Sequence, residues 1–188
     1  MRKIRGFTMI ELLIVIAVLG ILAVAVLAAI NPIEQINRGK DTGSRSDAEQ
    51  LIGAVDRFYT ANGYYPWRTG ATDTEADGST PTGWIAVGDS WLDTASAKVL
   101  DKLSVGGTAE IKASFVKRIT DPAYNTLFVY NRGTQGDSTY VCFAPKSANF
   151  VTEAGTRCGG TTLPEDFPSS ACGNTTDCGS SGNCVCLP

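Results

Sequence analysis

Arg5-Gly6-Phe7-Thr8-Met9-Ile10-Glu11-Leu12-Leu13 opens an apolar run that continues to Ile30, and no charged or strongly polar side chain follows Glu11 within it. The 19 residues from Leu12 to Ile30, as a helix rising ~1.5 Å per residue, cover about 28 Å, close to the hydrocarbon thickness of a bilayer. Arg2, Lys3 and Arg5 precede the run, so the positive-inside rule keeps that end cytoplasmic and sends the remainder outward. Glu11 is the anomaly. An ionised carboxylate in hydrocarbon costs roughly 2.5 kcal/mol or more, and such a residue reads as functional by default. The nearby cations all lie upstream of the run. A plain signal anchor would leave Glu11 an accident. A cleavable secretory signal would use small residues such as Ala23, Ala25, Ala28 and Ala29, but the run is longer than a usual signal core and its carboxylate stays unexplained.

The chain has 188 residues; roughly 150 lie beyond the span, enough to bury a core. Net charge is −3, and loss of Met1 to Gly6, with its three cations, would take it to −6. Bulk charge therefore gives no nucleic-acid surface, although a local basic patch is compatible with it. Histidine is absent, which removes Ser-His and Cys-His nucleophile pairs. Neither a phosphate-cradling loop nor a dinucleotide glycine pattern occurs. Cys142, Cys158, Cys172, Cys178, Cys184 and Cys186 all fall in the last quarter. An even count confined to the exported part reads as disulfides. Structural zinc is the rival, but the spacing is not that of paired ligands and no histidine is available. No cofactor or metal is expected.

Asn31-Pro32 interrupts the helix, because proline lacks the N–H and biases its predecessor away from helical geometry. Gly39 and Gly43 weaken the next stretch by about 1 kcal/mol each. Ser46-x-x-Glu49 fits a capping box that restarts a helix. Ala48, Leu51, Ile52, Val55 and Phe58 then recur at helical spacing until Gly63. One spine helix is predicted from Phe7 to about Asn62, soft between Asn31 and Gly43. A polar loop covers Thr69 to Pro81. Ile85–Val87 suggests a short strand and Ala95–Leu103 a short helix, while Phe115–Ile119 leads into the turn Thr120-Asp121-Pro122. Leu127–Tyr130 and Tyr140–Phe143 read as the arms of a hairpin. From Gly155 the composition is Gly, Thr, Ser, Asn and Pro, which needs its cysteines to hold a shape.

Gly6, Phe7, Thr8 and Glu11, followed by Leu12-Leu13-Ile14-Val15-Ile16, resemble the class III signal of type IV pilins and type II secretion pseudopilins. Gly63-Tyr64-Tyr65-Pro66 and Thr120-Asp121-Pro122 are similar to turns of that family. The resemblance implies a leader, residues 1–6, removed between Gly6 and Phe7 by a prepilin peptidase that also N-methylates Phe7. It implies a transmembrane helix over 7–30, a continuation of the spine over 31–63 kinked at Pro32, a globular head over 64–154 and a cysteine-rich tail over 155–188. The fold class is α+β: a long N-terminal α-helix packed on a small antiparallel β-sheet, with a disulfide-rich tail. Glu11 of one copy would neutralise the new α-amino group of Phe7 in a neighbour. By analogy with the family's C-terminal loop, Cys142 would pair with Cys158, leaving the other four cysteines to pair among themselves. The expected function is a non-enzymatic filament subunit, held by lipid in the cytoplasmic membrane before assembly and then polymerised with further copies outside the cell. An assembly ATPase and a platform protein would be its partners. The alternative is a minor pilin whose tail acts as an adhesion, cargo-binding or DNA-binding module.

Two further motifs carry competing readings. Asp73-x-Glu75-x-Asp77-Gly78 copies half of a calcium loop, but Trp84 stands where the bidentate glutamate belongs, so a solvated acidic loop is expected. Trp67, Trp84 and Trp91, with Tyr64 and Tyr65, could line a carbohydrate surface, yet such residues more often form core or interface.

Overall fold

A computed structural model describes residues 6–72, 84–93, 95–106, 109–133, 136–160, 163–173, 178 and 182–188. The chain divides into two units, Met1–Ile36 and Asn37–Pro188. The first unit is dominated by α1 (Met9–Ala29), in which no residue is buried by the chain. Its composition is apolar on every side, so no stripe exists for it to bury against a soluble core. Helix α2 (Pro32–Asn62) begins in this unit and runs on into the second.

The break in the helix falls where Asn31-Pro32 places it. Helix α1 closes with the Ile30 N–H donating to Val26 O, and Ile30 itself is extended. Pro32 then occupies the first position of α2, where a missing N–H costs nothing. Asn31 Oδ1 accepts from Glu34 N at 3.4 Å. The soft section expected between Asn31 and Gly43 is instead regular helix, and Ser46-x-x-Glu49 lies inside it rather than starting it. The glycine penalty loses because the same turns bury Asp41, Ser44, Asp47 and Ala48 in the head. Tertiary packing supplies most helical stability in proteins. Gly63 ends α2 in a left-handed conformation (φ 78°), with its N–H on Tyr59 O at 2.7 Å.

Four antiparallel strands form one sheet in chain order: β1 (Ile85–Ala86), β2 (Leu127–Tyr130), β3 (Tyr140–Phe143) and β4 (Val185–Leu187). The hairpin of β2 and β3 pairs Leu127 with Phe143 and Tyr130 with Tyr140. Strand alternation sends Leu127, Val129, Val141, Phe143 and Val185 into a core with the α2 stripe Ala48, Leu51, Val55 and Phe58. Trp67 and Trp91 are fully enclosed in that core, so they are structural rather than a ligand surface. Short helices α3 (Val99–Ser104) and α4 (Ala113–Ile119) and the longer α5 (Ala148–Cys158) complete this layer, contributing Val99, Leu103, Phe115, Ile119, Phe150 and Ala154.

The opposite sheet face is covered by the chain's own C-terminal segment. Tyr140, Cys142 and Cys186 face a second cluster with Phe167, Ala171, Cys178 and Cys184, against which Trp84, Phe128 and Tyr130 pack. Trp84 donates its indole N–H to Ser170 Oγ at 2.7 Å, which gives the residue at the twelfth calcium-loop position a structural task. The acidic half of that loop lies outside the described residues. The cysteines pair as Cys142–Cys186, Cys158–Cys172 and Cys178–Cys184, so the expected Cys142–Cys158 pairing is corrected. The reason is register: β4 returns beside β3 with Cys186 directly opposite Cys142, their Cα atoms 4.1 Å apart. That strand pairing was invisible without β4.

Polar pairs fasten the head. Arg118 bridges α4 to Asp47 of α2 at 2.5 Å; burial pushes the Asp47 carboxyl up, and Arg118 only partly opposes this. Lys102 of α3 pairs with Asp93. Burial acts to raise the Asp93 carboxyl, but Lys102 and the N–H groups of Ala97 and Ala95 outweigh it and hold it below the usual range. Asp166 accepts from Ser138 N at 2.7 Å and from Tyr140 Oη at 2.9 Å, and the Ser138 N–H chiefly holds its carboxyl low.

Candidate functional site

The surface most unlike that of a soluble protein is α1. Leu12, Leu13, Ile14, Ile16, Val18, Leu19, Ile21 and Leu22 are all exposed large apolar side chains. Helix α1 is long and apolar enough to cross a membrane. A patch of this size marks a membrane or protein-contact surface.

The one charge in this helix sits at its third position and closes a capping box. Glu11 N donates to Thr8 Oγ1 at 3.3 Å. In return, Glu11 Oε2 accepts from Thr8 N at 2.9 Å and from Thr8 Oγ1 at 2.7 Å. The box satisfies two of the otherwise orphaned donors of the helix start, and a carboxylate there also complements the positive end of the macrodipole. Glu11 is therefore not partnerless within the chain, as the sequence reading had it; Thr8 holds one of its oxygens. Gly6 and Phe7 precede the cap and are exposed and non-helical.

Residues 1–27 match the prokaryotic N-terminal methylation motif. The chain carries the class III signal of type IV pilins and pseudopilins. No curated protein and no solved structure matches the chain. Within the methylation motif, Gly6, Phe7 and Glu11 occupy one short stretch ahead of and inside the first turn of α1. Pro32 lies beyond the matched residues, at the start of α2. The six cysteines are remote in sequence: Cys142–Cys186 links β3 to β4, Cys158–Cys172 ties the end of α5 to the C-terminal segment, and Cys178–Cys184 closes a loop within that segment.

Sequence reasoning missed a buried carboxylate that ties α2 to the residues just before α5. Asp41 of α2 is 0% exposed. Its Oδ2 accepts from Lys146 N at 3.0 Å, Ser147 N at 2.7 Å and Ser147 Oγ at 2.7 Å. Its Oδ1 accepts from Asn125 Nδ2 at 3.3 Å and from Lys146 N at 3.1 Å. Ser147 is the N-cap residue of α5 yet makes no side-chain cap of its own. The Asp41 carboxylate instead holds the N-cap residue itself, from another helix. One turn earlier, Asn37 Nδ2 donates to Lys146 O at 3.4 Å. The available signal was helical register: Asp41 stands in line with Ser44 and Ala48 on the face of α2 that goes on to bury Leu51, Val55 and Phe58.

A groove of about 840 Å³ lies between α5 and the C-terminal segment, lined by Tyr140, Glu153, Arg157, Leu163, Asp166 and Phe167 among others. Its polar groups are largely engaged within the chain. Asp166 holds Ser138 and Tyr140, and Arg157 donates to Cys186 O.

Proposed function

We propose that this chain is a structural subunit of a type IV pilus or pseudopilus-like filament. It is cut between Gly6 and Phe7, N-methylated on Phe7 and polymerised through α1. The observation that carries the reading is the pairing of a methylation motif with an apolar helix that the chain itself leaves wholly uncovered. Before assembly, lipid covers α1, with the head outside the cytoplasmic membrane. After assembly, the α1 helices of other copies cover it, and the heads coat the fibre. Processing by a prepilin peptidase, and assembly by an ATPase and a platform protein, follow from this reading. The alternative role, a minor subunit using its C-terminal segment to hold cargo, DNA or a surface, is less favoured because the groove beside that segment has its polar groups occupied internally.

Cleavage places a new α-amino group on Phe7, next to the Thr8 cap. Within packed helices, the Glu11 carboxylate of one copy meets that ammonium group of another. Such a pair in low dielectric helps only when both partners are present, so an unmatched Glu11 favours docking. The test is mass spectrometry of sheared surface material: an N-terminus at N-methyl-Phe7 in abundant fibres supports the proposal. An uncut chain that stays in the membrane overturns it. Low copy number in fibres dominated by another subunit favours the minor-subunit alternative.

A further inference from the structure

A second groove, of about 510 Å³, lies between α2 and α4. Arg57, Lys112 and Arg118 line it, and Glu110 is the one carboxylate in the described lining. Arg57 Nε pairs with Glu110 at 2.8 Å while its side chain stays 57% exposed. Arg118 pairs with Asp47 through one nitrogen and stays 43% exposed, its guanidinium lying over the Phe115 ring. Lys112 is exposed and has no ion pair among the described residues. Gly53 shapes the groove. A Cβ there would come within 3.2 Å of an Arg57 guanidinium nitrogen, so a residue that weakens the helix by about 1 kcal/mol lets Arg57 lie back along α2. The cluster is cationic in a chain whose net charge is −3, and the acidic remainder includes Asp89, paired with Lys98 but 90% exposed, and Glu165, 4.0 Å from Arg132 and 95% exposed.

We infer that the α2–α4 groove is a head-to-head contact that takes an exposed carboxylate from a second copy of this chain. The inference rests on the filament reading, which puts an acidic surface of the same composition beside every head. Three cations converge on one concave site with a single lining carboxylate, and the mature chain, at −6 after loss of three leader cations, otherwise repels its own copies. A groove that draws in a neighbour's carboxylate offsets that repulsion and fixes register between heads.

The test uses filaments of the full chain grown from mixed light-isotope and heavy-isotope pools, treated with a zero-length carbodiimide that joins amines to carboxylates. The expected product is a mixed-isotope peptide joining Lys112 to an Asp or Glu of another copy. Lys112→Glu is expected to lower filament recovery about fivefold after a high-salt wash, the scale of one exposed ion pair lost and one repulsion gained. Lys112→Ala is expected to have a smaller effect in the same direction. The Lys112 side chain is exposed and holds no hydrogen-bond or ion-pair partner among the described residues, so the variants report on the contact. Filaments in which Lys112 joins only carboxylates of its own copy overturn the inference while leaving the filament reading intact. Binding of a short DNA duplex by wild-type filaments, abolished by Lys112→Glu without inter-copy products, also overturns it and assigns the groove to phosphodiesters. Absence of fibres from the wild-type chain overturns the filament reading and this contact with it.

Discussion

Replacing Asp41 probes how the spine helix holds the head. The carboxylate is fully buried and receives the N–H groups of Lys146 and Ser147, the Ser147 hydroxyl and the Asn125 amide. Asp41→Ala strands three buried donors, the N–H and hydroxyl of Ser147 and the Asn125 amide. Each unsatisfied donor costs about 1–3 kcal/mol, reduced where water enters, so a loss of about 3–5 kcal/mol is expected. For a head of this size, that corresponds to a fall in Tm of roughly 6–20 °C. Asp41→Asn keeps the shape and one acceptor oxygen. Asn125 Oδ1 is buried without a hydrogen-bond partner, so a flip of that amide would give the new NH2 group an acceptor. Only the charge assistance at the α5 N-terminus is lost, about 1–2 kcal/mol. The assay is urea unfolding of the full chain in detergent, followed by fluorescence of the enclosed Trp67 and Trp91. Equal losses for the two variants, or less than about 1 kcal/mol for Asp41→Ala, would refute the role given to Asp41.

Other outcomes follow from the same contacts. Cys142→Ser with Cys186→Ser removes a link spanning 44 residues, and loop entropy alone sets the expected loss at about 4 kcal/mol, read from urea midpoints in non-reducing buffer. Non-reducing peptide mapping of the native chain should return Cys142 joined to Cys186. Asp93 and Asp166 hold depressed carboxyls, so their contribution is complete above the ordinary carboxylate value near ~3.9 and is lost as pH falls through their lower folded values. Asp47, shifted upward, works in the opposite sense and gains as it protonates. Unfolding midpoints from pH ~6 to ~2 should therefore fall on acidification, and Asp93→Asn should flatten that fall. Glu11→Gln should leave membrane insertion intact but cut filament yield about tenfold, equivalent to about 1.4 kcal/mol. Thr8→Ala should cut it less.

The legible parts of this fold were those encoded by local pattern. The long apolar helix, the break at Asn31-Pro32, the stripe on α2 and the hairpin of β2 and β3 each show a clean period or a clear stop in sequence. The illegible parts depend on partners far along the chain. Strand β4 is three residues long and lies among cysteines and glycines, so nothing local marks it. Once it pairs with β3, it decides two things together: the Cys142–Cys186 link and the covering of the outer sheet face by Phe167, Ala171 and Trp84. Helix α5 was missed for a related reason. Its N-cap residue Ser147 is held by Asp41, 106 positions away, and makes no side-chain cap of its own. At Gly39 and Gly43, local propensity pointed to a soft helix and long-range burial overrode it.

The candidate site shows the same limit at short range. Thr8-x-x-Glu11 and Ser46-x-x-Glu49 share one capping signature, but only the first begins a helix. The difference is what precedes each: exposed, non-helical Gly6 and Phe7 before Thr8, and an established helix before Ser46. On the filament proposal Glu11 would have two tasks that a carboxylate can perform together, because Thr8 holds one oxygen and leaves the other for an ammonium group of another copy. The two tasks separate by substitution. Glutamine at the third helical position can still close the box, whereas it cannot neutralise a charge. Alanine at Thr8 removes the cap, about 1 kcal/mol, and keeps the charge. If filament yield follows the carboxylate, Glu11 acts between subunits. If Thr8→Ala is as damaging as Glu11→Gln, then Glu11 acts through its own helix, and the attraction between copies must come from elsewhere on α1.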